Sequence, residues 1–207
     1  MIRWLIDGLS EKIRREELGW HIDKEAKPEN TCFAVFDTET TGLDLRKDEA
    51  ISLGAVKIEN LKIDLSRSFY ALLKPTREYE DSIRVHGITP DSLSKARERR
   101  EVCMEFLEYA RGCVLAGYFV NIDMAMLKKL VREECKASLK VYALDLLDMV
   151  EHRGKVPSLE ELLREYRLPL STQHNALEDA YMTALVLLRL LKEKRDKRLK
   201  DFPLRQF

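Results

Sequence analysis

The sequence predicts an α/β domain, a mixed five-stranded sheet flanked by helices. Three observations carry this. A short, continuous apolar run, CFAVF (32–36), suits a strand buried on both faces. Two further strand-like runs follow it closely, and short links favour antiparallel neighbours because a parallel return needs a long crossover. From about residue 89 onward, segments of helical and strand period alternate, so that helices must lie on the faces of the sheet.

Taken in order, residues 2–18 place Ile2, Leu5, Ile6, Leu9 and Ile13 at helical spacing, and KEAKPEN (24–30) reads as a linker. After CFAVF, the run AISLGAVKI (50–58) alternates in part, with Gly54 as a candidate bulge. Ile63, Leu65, Phe69, Ala71 and Leu73 alternate up to Pro75 as a third strand. Thr89-Pro90 is an N-cap followed by a first-turn proline, which predicts a helix over much of 91–111. CVLAG (113–117) is a second buried strand, IDMAMLKKLVREE (122–134) a helix, and VYALD (141–145) a short strand leading into a helix near 145–152. Ser158 with Glu161 forms a capping box opening SLEELLREY. Ala176, Leu177, Ala180, Tyr181, Ala184, Leu185, Leu188 and Leu191 mark a long amphipathic helix, which runs into the basic stretch KEKRDKRLK (192–200). The expected organisation is an N-terminal helix and linker (1–30), a main domain (31–192) and a basic tail (193–207).

Composition sets limits on function. Apolar residues are 45% and charged residues 35% of the 207, an ordinary balance for a globular domain. No apolar run approaches membrane-spanning length, and Asp7 and Glu11 interrupt any signal-peptide core, so a cytoplasmic protein is expected. Cys32, Cys103, Cys113 and Cys135 are scattered without metal-ligand spacing and read as free thiols of a reducing compartment. The formal net charge is zero, which neither points to nor excludes nucleic acid, since a protein that binds it needs only a local basic rim.

The chemistry concentrates at the edges of core elements. In FDTETTGLD (36–44), Asp37 and Glu39 leave a buried strand, and the period of two turns both carboxylates to one side. Held that close they repel unless a cation sits between them. A lone DxE is most often a solvated turn. Asp37, Glu39, Thr41, Gly42 and Asp48 also fall at EF-hand positions, but a strand precedes them and the last ligand is Asp instead of Glu. Asp123 follows CVLAG and opens a helix, where an Asp also complements the helix N-terminus. Asp179 stands on the apolar side of its helix, and His174 lies five residues before it. Four acids can hold two hard divalent cations, Mg²⁺ or Mn²⁺, of the kind that clamp a phosphoryl displacement, and a histidine can take the proton of an attacking water.

In these ordered motifs, FDTETTGLD, HGIT (86–89), GYFVNIDMAML and HNALEDA, the chain resembles the DnaQ-like DEDDh exonucleases, over about residues 31–192. The resemblance implies a ribonuclease H-like fold and a 3′→5′ exonuclease that hydrolyses the terminal phosphodiester. By the same resemblance Asp37, Glu39, Asp123 and Asp179 bind two divalent ions and His174 is the general base. Thr40, Thr41, Leu43 and His86 would border the 3′-terminal nucleotide. Where the family often has HN, this chain has Tyr118-Phe119, so Phe119 is expected to hold the substrate by stacking. The expected partner is a DNA 3′ end, single-stranded, in proofreading or repair, with a polymerase subunit as a further partner. RNA 3′-end trimming is the alternative within the same chemistry, and an inactive scaffold the alternative outside it.

Overall fold

The structure is a computed structural model that describes residues 16–77, 87–151, 154–171 and 175–207. Nine strands and four α-helices are formed among these residues. They are β1 (Glu16–Gly19), β2 (Phe33–Thr40), β3 (Ala50–Glu59), β4 (Lys62–Ile63), β5 (Phe69–Leu72), α1 (Arg99–Ala110), β6 (Val114–Gly117), α2 (Val120–Glu134), β7 (Ala137–Lys140), β8 (Tyr142–Asp145), α3 (Leu159–Glu165), α4 (Ala176–Glu193) and β9 (Arg205–Gln206).

The main sheet runs β4-β3-β2-β6-β8-β9, with β5 also paired to β3. β2, β3 and β5 are antiparallel neighbours, while β6 and β8 join parallel to β2 and to each other. The expected α/β class and mixed sheet are therefore present. Four of the expected strands form as β2, β3, β6 and β8, the expected third strand is divided into β4 and β5, and β9 brings the sheet to seven.

Both faces of β2 are covered, as its unbroken apolar run requires. Ala34 and Phe36 pack with Leu53, Val102, Phe106 and Leu127 beneath α1 and α2. Phe33 and Val35 pack with Val56, Met182, Val186 and Leu190 beneath α4. The capping box opens α3 as read from sequence: Ser158 accepts from the Glu161 amide and Glu161 from that of Ser158.

Several local expectations are corrected. The third strand is interrupted because Asp64 accepts from the Ser66 amide and folds Leu65–Arg67 into a 3₁₀ turn, leaving Leu65 exposed. Thr89 accepts from the Ser92 amide, yet only a 3₁₀ turn, Ser92–Lys95, follows. The chain then leaves helical geometry so that the Arg97 amide can donate to Leu72 O and Arg97 O accept from the Lys74 amide, and α1 begins at Arg99. After β8 the chain forms a 3₁₀ turn, Leu146–Met149, instead of a longer helix. At the N-terminus, Glu16–Gly19 is a strand parallel to β7, while Ile2, Leu5, Ile6, Leu9 and Ile13 lie outside the described residues.

The basic stretch does not run free as a tail. Leu199 and Phe202 are buried, β9 pairs with β8, and Leu199 and Lys200 donate their amides to Ala26 O and Lys24 O. Arg198 and Lys200 pair with Glu25, so the expected linker is pinned by this segment.

Cys32 and Cys113 are joined in a disulfide, which corrects their reading as free thiols and removes the thiol-based reason for a reducing compartment. They precede Phe33 and Val114, which face each other in the β2–β6 pair, so the pairing brings them together across 81 residues of sequence. Cys103 and Cys135 remain thiols, their sulfurs 3.1 Å apart. Among the described residues no helix is long and apolar enough to cross a membrane.

Candidate active site

Three elements converge at the end of the sheet where β2 leaves the core. Asp37 and Glu39 occupy alternate positions of β2, and the β2–β3 register slips just after Glu39, where the strand turns away. Asp179 comes from the first turn of α4, whose N-cap Asn175 accepts from the Glu178 amide. Carboxylate oxygens of Asp37, Glu39 and Asp179 all lie within 4.8 Å of one another.

That convergence depends on Gly54. It faces Asp37 across the β2–β3 pair, and a Cβ built there would stand 2.1 Å from the Leu177 amide nitrogen. Only a residue without a side chain lets the start of α4 lie directly on β3 and carry Asp179 to Asp37. The sequence reading offered Gly54 as a bulge; the structure makes it a point of close approach.

Asp123 sits in the first turn of α2, buried to 5% exposure. Its Oδ1 accepts from the amide of Thr38 at 2.9 Å and from the hydroxyl at 2.6 Å. Thr38 lies between Asp37 and Glu39, so the fourth acid is tied to the strand that carries the first two. Sequence reading missed Thr38 as a positioning group, although it stands inside the motif.

The electrostatics are those of crowded acids, Asp123 buried and Asp37, Glu39 and Asp179 half-buried. Burial raises the Asp37 carboxyl well above its ordinary value, and the charges of Asp123, Glu39 and Asp179 raise it further. Burial likewise pushes Asp123 up to about 7, against the lowering effect of its bonds from Thr38. These groups are oxygen donors that resist ionising together, which is the state a divalent cation relieves. The cluster therefore fits hard ions such as Mg²⁺ or Mn²⁺ by donor type, number and spacing.

Two clefts meet at Asp37 and Tyr118. One, of about 440 Å³, runs past Asp179, Leu163, Leu170 and Met182. The other, of about 310 Å³, is lined by Thr40, Gly42 and Leu43 from the end of β2 and the segment after it, and by Phe119, Ile122 and Asp123 from the start of α2. Thr40, Leu43 and Phe119 are thus beside the acids, with Leu43 77% and Phe119 45% exposed. Thr41 is directed elsewhere: its hydroxyl donates to Asp48 and accepts from the Glu49 amide. Tyr118 donates to Pro157 O and meets the Phe119 ring edge-on at 4.9 Å. His86 and His174 lie outside the described residues.

The exonuclease family of the RNase T type matches residues 34–187, three quarters of the chain and all four acids. The chain belongs to this family. Among its relatives is the DNA polymerase III epsilon subunit of Aquifex aeolicus, 30% identical over 165 residues that span 78% of this chain and 81% of that one. The PolC-type DNA polymerase III of Thermotoga petrophila is 33% identical over 166 residues, 79% of this chain but 12% of the polymerase. Family membership thus agrees with the DnaQ-like resemblance of the motifs. Among solved structures, Escherichia coli exonuclease I in complex with a dT13 oligonucleotide superposes with a TM-score of 0.63 at 20% identity, over 83% of this chain and 43% of that one. At that identity the likeness speaks for the fold, ribonuclease H-like as the motifs implied.

Proposed function

We propose that this chain is a metal-dependent 3′→5′ exonuclease that releases nucleoside monophosphates from DNA 3′ ends, in proofreading or repair. The observation that carries the reading is the convergence of Asp37, Glu39 and Asp179 within 4.8 Å, with Asp123 bonded to the strand between them. Asp37, Glu39, Asp123 and Asp179 would hold two ions, Mg²⁺ or Mn²⁺. Such ions supply positive charge at the attacking and leaving oxygens of an in-line displacement. His174 takes the proton from the attacking water at an imidazole nitrogen, a role suited to a group that titrates near neutrality. Leu43 and Phe119, both lining the smaller cleft, offer apolar and aromatic surface to the terminal bases, with Thr40 beside them; Thr41 and His86 are assigned to the substrate by the family resemblance alone. DNA is favoured over RNA because the relatives are named as DNA polymerase III components and the structural neighbour holds a DNA oligonucleotide. Those names also support a polymerase as partner.

The test uses 5′-labelled single-stranded DNA and RNA of one sequence with Mn²⁺. We expect a ladder shrinking from the 3′ end of DNA, lost in Asp37→Ala and nearly lost in Asp179→Ala and His174→Ala. A ladder on RNA alone would move the substrate to RNA and keep the chemistry. Full turnover in Asp179→Ala or His174→Ala would overturn the mechanism, and no ladder on either strand the enzyme itself.

A further inference from the structure

Residues 41–49 join the acidic end of β2 to β3, and they fold into a closed ring. The Thr41 amide donates to Glu49 O at 3.0 Å. The Asp48 carboxylate accepts from the Thr41 hydroxyl at 2.9 Å and from the Asp44 amide at 2.7 Å. Gly42 lies so close to it that a Cβ there would stand 2.5 Å from Asp48 Oδ2. Glu49, 2% exposed, accepts from the Thr76 hydroxyl and lies 3.5 Å from the Arg99 guanidinium. The ring is therefore held at its base, and it presents Leu43 at its outer side.

A lysine buried beneath this ring has no part in the cleft chemistry described above. Lys129 is 8% exposed and belongs to α2, the helix that begins with Phe119 at its N-cap and carries Asp123 in its first turn. Its ammonium donates to Asp48 O at 2.6 Å and to Arg46 O at 3.3 Å. A buried ammonium is costly unless its N–H groups are hydrogen-bonded, and here two backbone carbonyls of the ring accept from it. The smaller cleft is lined by Gly42 and Leu43 of the ring, with Thr40 just before it, and by Phe119, Ile122 and Asp123 of the helix, and these two sides are its ring wall and its helix wall. Lys129 lines neither wall. It ties the ring to the helix some six residues, about 9 Å, further along α2.

We propose that Lys129 is a positioning residue that fixes the spacing between the two walls of the smaller cleft, and so the grip on the terminal nucleotides of the strand. The proposal rests on the exonuclease reading for its substrate, though not for its geometry. Without the ammonium, the Arg46 and Asp48 carbonyls lose their charged donor and the ring is free to open. The acids do not depend on this contact: Asp123 is held by Thr38, and Asp179 by the seating of α4 on β3.

The test compares wild type with Lys129→Met on a single-stranded thymidine oligonucleotide with Mn²⁺, together with hydrogen–deuterium exchange of the metal-free proteins. We expect KM to rise about tenfold with kcat within about twofold, the pattern of lost binding shared by ground and transition states. Exchange over residues 41–48 should quicken while that over β2 and β3 is unchanged, and Lys129→Arg should recover most of the lost KM. Unchanged KM with unchanged exchange would overturn the proposal, as would a fall in kcat with KM constant. Should Lys129→Met fail to fold, Asp48→Ala loosens the same ring at its half-buried carboxylate and is read by the same two measurements. A wild-type chain inactive on DNA and RNA would instead overturn the exonuclease reading, and exchange over 41–48 would then decide the clamp alone.

Discussion

Replacing Asp123 with Asn removes an acid from the cluster while keeping an oxygen able to accept from Thr38. In the metal-free protein, burial holds the Asp123 carboxyl at about 7 against an ordinary 3.8. Below about pH 4 folded and unfolded chains both keep this proton, and it does not affect stability. Between about pH 4 and pH 7 the unfolded chain releases a proton that the folded chain retains, so stability falls as pH rises, and above about pH 7 the loss is complete. At about 1.4 kcal/mol for each pH unit of that window, Asp123 with the acids it is coupled to should destabilise the neutral-pH, metal-free fold by on the order of a few kcal/mol. Asp37, also raised, acts in the same direction. The assay is urea unfolding from about pH 4 to pH 8 with a chelator, for wild type and Asp123→Asn. Carboxylates held low by neighbouring cations, such as Glu25 and Glu105, oppose the trend but are common to both proteins and cancel in the difference. The variant should gain on wild type steadily across the window, and millimolar Mn²⁺ should restore wild type at neutral pH far more than the variant. A difference that stays flat with pH, or runs the other way, would refute a strained acidic cluster.

Two further perturbations probe how the site is assembled. Gly54→Ala forces a methyl group into the backbone at Leu177 and should cost about 1–3 kcal/mol or more in thermal unfolding while weakening Mn²⁺ binding, because Asp179 moves with α4. Wild-type melting and wild-type Mn²⁺ affinity together would rule out the close approach. The denatured, unreduced chain should show two reactive thiols, Cys103 and Cys135, and reduction should expose four. Reduction of the Cys32–Cys113 bond, which closes 81 residues, should destabilise the chain by up to about 4 kcal/mol, read as a lower urea midpoint. Four thiols without reductant would deny the bond.

What was legible in the sequence follows the range of the forces involved. CFAVF announces a strand covered on both faces because burial of every residue erases alternation, and the structure covers both faces of β2. Ser158 and Glu161 announce a helix start because the capping bonds close within four residues. The spacing of Asp37 and Glu39 places them together because strand geometry alone decides it. Features set by distant partners were not legible. The chain breaks between Ser92–Lys95 and α1 to bond with Leu72 and Lys74, which no local propensity near Thr89-Pro90 reveals. Cys32 meets Cys113 only once β2 and β6 have paired. The basic residues 192–200 look solvated because most are, but Leu199 and Phe202 among and after them are buried and anchor β9.

The same division runs through the site. Each acid could be noticed locally, yet each also had a plain reading: a turn for Asp37 and Glu39, a helix N-terminus for Asp123. What sets them apart is that the fold brings them together against their own repulsion. Gly54 admits the start of α4, Thr38 binds Asp123, and the packing of β2 beneath both helix layers fixes the backbones that carry the carboxylates. Carboxyls held above their ordinary range by burial and by one another's charge are poorly explained as structure, since uncharged groups at these positions would serve packing better. It is well explained if an ion supplies the missing charge, for then the energy spent in crowding the acids returns as affinity for the metal. The destabilisation of the metal-free chain and its affinity for Mn²⁺ then share one cause, the crowding of the acids, and Asp123→Asn should diminish both.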